Sequence, residues 1–317
     1  MSGLVEFAQA EQILNQVGQV AISDSSIWRC TDKWGTRCQA LEAAQRATAT
    51  ALPPRSEIVP GEVRQSTDRG VAMDGAMVHV RAEGWKELKT GCVFEIERRP
   101  APDPASAATV ELAHAVQNSY VAHLGGPELF AQQLWAEAQR REWTRAHATI
   151  ALGAGAAWVW HAVAEHFYDS RQAVDWYHAL QHLASAASLV KGEGQAAAQD
   201  WLKQQESALF QGQAAVIAQQ LPAAAQEQPS RADELQREAG YFGEHQQRMQ
   251  SQQLRADGFP IGSGMVESAC KQFRKRFTGS GMRWSRAGLE RLLPVRAAIM
   301  SHRFDALWKA AYRSPPI

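Results

Sequence analysis

The run His147–Gly155, HATIALGAG, constrains the fold of this chain more than any other stretch. It reads as a short β-prone strand that closes on Gly153, Ala154 and Gly155, and a helical pattern opens directly afterwards at Ala156. A strand that ends in Gly-x-Gly and feeds a helix belongs to an open α/β sheet. It sets residue 154 at the carboxyl edge of that sheet, where such folds place their sites.

Two acids stand out against this frame. Asp74 interrupts VAMDGAMVHV, an otherwise apolar, β-prone run that is followed by a second strand pattern to about residue 97. An acid in a buried strand is costly unless it is paired or bound to a cation; the alternative is a strand-end aspartate that caps the turn at Gly75. Glu267 sits in GSGMVESACKQFRKRF, where Gly262–Gly264 lead into a helix predicted over 265–277. In the first turn of a helix a carboxylate also complements the helix dipole, by about 0.3–1 kcal/mol.

The order of segments between these acids is RNase H-like. After the hairpin comes a stretch predicted as helix over 111–142, then the strand of HATIALGAG, then the helix from Ala156, then QAVDWYHAL, a strand-like run that ends in an acid and a histidine. The motifs VAMDGAMV, EGWKELKTGCVFEIE, SYVAHLGG, AEHFYDSRQAVDWYHALQHL, GMVESACKQFRKRF and MRWSRAGLERLLPVRAAIMSHRF together resemble the ISKra-type family of bacterial insertion-sequence DDE transposases, over about residues 5–312. The resemblance implies an RNase H-like α/β catalytic core, an all-helical insertion and an amino-terminal helical module.

In that family the motif after the third strand resembles GDGAxWIW, and its aspartate falls on Ala154. The resemblance implies Asp74, residue 154 and Glu267 as the ligands of two Mg²⁺ (or Mn²⁺) ions roughly 3.5–4 Å apart, which activate the attacking oxygen and stabilise the leaving one. Mg²⁺ is held by few protein oxygens, so each counts. A methyl group offers none, and cleavage and strand transfer are expected to be impaired. A deliberate Asp-to-Ala change and natural decay of an abandoned element are both compatible with the sequence.

Compensation by another acid would come from Glu165, Asp169 or Asp175, with Asp175 best placed because it lies in DWYH at the end of a strand. Asp175 and His178 are auxiliary site candidates; the alternative is that they hold a polar loop together beside the site. His178 and His182 are four residues apart and share a helix face, which suits either a metal or plain surface packing. AEHF does not complete HExxH, so a zinc hydrolase is excluded.

Lysine plus arginine equals aspartate plus glutamate over the 317 residues, 33 of each. The balance is uneven: from Ser268 onward eleven bases face two acids, a local charge of +9. Lys271, Arg274, Lys275, Arg276, Arg283 and Arg286 are the predicted contacts to a DNA backbone, which rewards neutralisation with counterion release. The alternative is a solvated basic face. Trp284, among these bases, suits either stacking on an unpaired base or core packing.

Upstream, two helical patterns flank residues 18–26, with Asp24 or Ser25 placed to cap the second. The spacing suits a helix-turn-helix whose recognition helix is 28–39, with Arg29, Lys33 and Arg37 as its basic stripe. Pro53 and Pro54 are expected to close this module at residue 52. The catalytic domain then runs over 68–190, with a loop over 98–108. A helical insertion follows over 191–256, broken at 222–230, and the completion with its basic tail covers 257–317. Cys30, Cys38, Cys92 and Cys270 lack metal-site spacing and are expected to be reduced thiols. No membrane span or signal sequence is read, so the expected location is the bacterial cytoplasm, at the nucleoid. The expected partners are double-stranded DNA, as element ends and target, and further copies of the chain on that DNA. A transposase-derived protein that binds DNA without cutting it is the alternative function.

Overall fold

The structure is a computed structural model and describes residues 1–49, 67–102, 108–279 and 282–314. Pro53 and Pro54 lie outside them. The molecule is α/β. A mixed five-stranded sheet has the order β3-β2-β1-β4-β5, formed by β1 (Asp68–Val80), β2 (Gly84–Pro102), β3 (Thr109–Leu124), β4 (Thr149–Gly153) and β5 (Arg171–Val174). β1 to β3 form an antiparallel meander, whereas β4 and β5 run parallel to β1.

The parallel strands are joined through helices. α3 (Pro127–Arg140) precedes β4, α4 (Ala157–His166) joins β4 to β5, and α5 (Trp176–Lys191) leaves β5. Alternation along the strands gives each face of the sheet its own core. Val71, Met73, Val93 and Val121 face Phe130, Leu134, Val163 and Leu183 of α3 to α5. Ala72, Val78, Phe94, Ile150 and Leu152 face the other way, onto Val266, Phe273 and Phe277 of α10 (Gly264–Phe277) and Leu289 and Leu292 of α11 (Arg286–Met300).

The segment predicted as one helix over 111–142 is a strand followed by a helix, β3 and then α3. Tertiary pairing overrides the helical look of TVELAHAVQNSY, because β2 offers it a ladder from Leu88↔Leu124 to Pro102↔Thr109. The Gly125-Gly126-Pro127 break starts α3 with proline in its first turn. Of the loop predicted over 98–108, the first five residues are strand, since Arg98–Pro102 pairs with Thr109–Ala113; residues 103–107 are outside the described ones. β1 begins opposite Ile96, so beyond it β2 has a single partner, which is where a sheet tolerates Pro100 and Pro102.

The region 191–256 is helical: α6 (Ala196–Phe210), α7 (Ala214–Glu227), α8 (Ala232–His245) and the short α9 (Ser251–Ala256). α7 runs through Pro222, and the break predicted from that residue comes only after Glu227. Leu209, Ile217, Leu221, Leu235 and Phe242 extend the first core outward, so the insertion packs on α5 rather than standing apart.

α1 (Phe7–Gln16) and α2 (Asp24–Ala49) form the amino-terminal pair. α2 has 26 residues and extends well past the recognition helix expected over 28–39. It lies against α11 and α12 (Phe304–Arg313), with Ile27, Gly35 and Cys38 buried. A Cβ on Gly35 would sit 2.4 Å from the Arg291 carbonyl oxygen, so glycine is what allows the two helices to cross so closely. Among the described residues no helix is long and apolar enough to cross a membrane.

Candidate functional site

Asp74 lies within β1 at the point where its parallel neighbour ends. Met73 pairs with Gly153, the last residue of β4, so Asp74 and Ala154 leave the ladder side by side at the carboxyl edge. Asp74 has the same parity as Ala72 and therefore points to the face covered by α10. Its Oδ1 accepts from the Gly75 amide at 2.7 Å, and the Cys270 thiol, one turn beyond Glu267 on α10, donates to it. Burial raises the Asp74 pKa above the usual carboxylate range, against the opposing pull of the Gly75 amide, His178 and Cys270. Burial and the Asp74 charge together push the Cys270 thiol up to about 12, so it stays a neutral donor.

Glu267 occupies the first turn of α10, as the sequence predicts, and its carboxylate pairs with Lys271 at 2.7 Å. Asp175 ties the segment before α10 to the start of α5. This aspartate follows β5, is 2% exposed, and caps α5: its Oδ1 accepts from the His178 amide at 2.8 Å and lies 3.1 Å from His178 Nδ1. Its Oδ2 accepts from the Ser263 amide, immediately before α10. The Trp176 amide donates to the Ile261 carbonyl at 2.9 Å, so residues 261–263 run beside the start of α5. Burial works to raise the Asp175 pKa, but the hydrogen bonds from His178 and Ser263 outweigh it and hold the carboxyl below its ordinary range. His178 is shifted upward, first by its hydrogen bond to Asp175 and also by the charges of Asp74 and Glu267. Asp175 alone of these three carboxylates is in contact with the imidazole; Asp74 and Glu267 act on it through their charge.

Both oxygens of Asp175 accept from protein donors, which is the polar role beside the site that the sequence offers as the alternative to compensation at 154. The other acids proposed to compensate are at the wrong edge. Glu165 lies near the far end of α4, about 12 Å along the axis from its start beside Ala154. Asp169 precedes β5 and so lies at that strand's amino end. Of the two histidines read on one helix face, His178 turns to Asp175, while His182 pairs with Glu238 at 2.8 Å and stacks on Tyr241 with ring centroids 3.6 Å apart. Among the described residues no three His, Cys, Asp or Glu side chains are arranged to hold a metal ion.

The insertion closes over Ala154. Tyr241 of α8 donates its hydroxyl to the Ala154 carbonyl at 3.3 Å. Gly155, at φ +111°, leaves room for the Tyr241 ring, from which a Cβ would be 2.7 Å. Tyr241 carries no sequence signal for this position, because its approach depends on how α8 docks. Cys270 does carry one, at i+3 from Glu267.

The structure divides the six predicted DNA contacts. Arg274, Lys275 and Arg283 are exposed, and Lys271 is exposed beside Glu267. Arg276 is buried, with Nε donating to the Ser2 carbonyl at 2.9 Å. Arg286 clasps Glu83 and Glu290 and donates to the Leu124 carbonyl at 3.1 Å, tying the β1–β2 turn to α11. Trp284 is core: it packs between Phe7 and Phe277 and donates Nε1 to the Phe277 carbonyl at 3.1 Å. Comparison with protein-family models and with curated proteins finds no match to the chain.

Proposed function

We propose that the chain is a transposase-type protein with an RNase H-like core that binds the DNA ends of an insertion sequence, and that its metal-dependent cleavage and strand transfer are impaired. The observation that carries this reading is the meeting of Asp74, Ala154 and Glu267 at one sheet edge, in a sheet of order 3-2-1-4-5, with a basic helix running on from Glu267. Asp74 and Glu267 are oxygen donors of the kind a hard Mg²⁺ or Mn²⁺ ion takes. Asp74 is an acid that burial disfavours as an anion, which a cation would offset. When bound, such an ion would neutralise phosphate charge and activate water. Asp74 and Glu267 are one acid fewer than the two-ion cleavage scheme uses, because position 154 gives a methyl group.

The engagement of both Asp175 oxygens by His178 and Ser263 favours the second reading, a protein that occupies DNA without cutting it. The two readings share the DNA partner and differ in chemistry. The deciding experiment assays Mg²⁺-dependent nicking of DNA carrying the element's ends by the chain as it stands and by Ala154→Asp. Negligible nicking by the former and nicking by the latter is the expected result. Robust cleavage by the unchanged protein would refute the assignment of residue 154. Without cleavage by either protein, binding alone remains, and failure to bind DNA at low salt would end both readings.

A further inference from the structure

A cleft of about 510 Å³ opens between α1, the start of α2 and the connection from α10 to α11, away from the carboxylate edge. Its charged lining is three arginines, Arg81, Arg276 and Arg283, against a single acid, Glu6. The backbone brings two of the arginines to either side of one bridge. Val80 bridges Trp284, and the Arg81 amide donates to the Trp284 carbonyl at 2.8 Å, so the side chains that flank this bridge come from both segments that meet there.

Arg276 is the unusual member. It is 3% exposed and its guanidinium lies over the rings of Phe7, Phe277 and Trp284. Nε reaches a backbone carbonyl, while Nη2 is buried with no hydrogen-bond partner among the described residues. A neighbouring guanidinium, Arg296, adds repulsion, and the acid acting on Arg276 is Glu6 at the exposed rim. Burying a cation whose hydrogen-bonding capacity is not met is expensive. An anion from outside would supply the missing counter-charge. Trp28, 47% exposed, gives the cleft an open aromatic wall on which a sugar or base adjoining that anion can lie.

We propose that this cleft binds a phosphate group, gripped by Arg81 and Arg283 at the rim above the buried charge of Arg276. The source of the group rests on the DNA-binding reading of the chain, on which that phosphate belongs to a DNA backbone. Glu6 competes with it. Its side chain makes no capping hydrogen bond to α1, so Glu6→Gln removes the competing charge without removing a cap.

Because Arg276 also packs between rings, the test changes the exposed residues. Calorimetric titration of the full chain with inorganic phosphate is run on the unchanged protein, Arg81→Ala, Arg283→Ala and Glu6→Gln, alongside binding of a short labelled duplex. Saturable phosphate binding is expected to weaken about tenfold in each arginine variant and to tighten in Glu6→Gln. Parallel weakening for the duplex assigns the phosphate to DNA; phosphate binding that follows the variants while the duplex does not bind keeps the site and refutes the DNA reading. Absence of phosphate binding, or binding indifferent to all three substitutions, overturns the proposal even where the duplex binds well.

Discussion

The Asp175–His178 pair sets how the candidate site responds to pH. Asp175 is depressed, so its contribution is present above the ordinary aspartate value and is lost as pH falls through the depressed one. His178 is raised, so its contribution is complete below about 6.5 and is lost as pH rises through the raised value. The pair therefore stabilises most in the weakly acidic range. Asp175→Asn is expected to cost about 2 kcal/mol there, and urea midpoints across pH should show the gap narrowing at both extremes. A gap constant from pH 3 to 9 would mean that the pair is not coupled to folding. At this scale much is legible in the sequence: the Asp74 strand, the Glu267 helix and the alanine at 154 follow from spacing, and both alternatives for Asp175 are visible in DWYH. What the sequence cannot display is that Ser263 takes the second oxygen of Asp175, since that hydrogen bond spans 88 residues.

Among elements, the closest dependence on a single atom is the crossing of α2 and α11. Gly35→Ala places a methyl carbon 2.4 Å from the Arg291 carbonyl oxygen, inside any allowed approach. The helices must separate, at a cost of about 1–3 kcal/mol for overpacking, and chemical denaturation should show it as a lower midpoint. An unchanged midpoint would mean that the crossing is looser than described. Element identity is legible where periodicity and punctuation agree, as for β4, α4 and α10. It is misleading over 111–142, where alanine, glutamate and histidine give a helical look to a strand whose pairing partner lies in β2. The break at Gly125-Gly126-Pro127 is the local clue to two elements. Helix-turn-helix spacing locates α1 and α2 but gives no sign that α2 continues to Ala49 and packs on α11 and α12.

Over the whole molecule, the even charge total conceals a basic carboxy-terminal part whose arginines do different work. Replacing Arg274 and Lys275 with alanine is expected to weaken binding to all duplexes alike and to reduce the salt slope by roughly 0.9 for each phosphate that is no longer neutralised. Arg286→Ala should instead lower thermal stability, by on the order of 1 kcal/mol, through the ties to Glu83 and Glu290. Binding isotherms against salt, read beside melting curves, separate the two effects; an unchanged slope in the first variant would make Arg274 and Lys275 a solvated face only. The core that receives Asp74 has a further consequence for synthesis of the protein. Ala72, Val78, Phe94, Ile150 and Leu152 are covered by α10 and α11, which follow the whole helical insertion in the chain. A ribosome needs on the order of ten seconds to travel from β4 to α10. For that interval one apolar face of the nascent sheet has no cover, and Asp74 waits for the helix that brings Glu267 and Cys270.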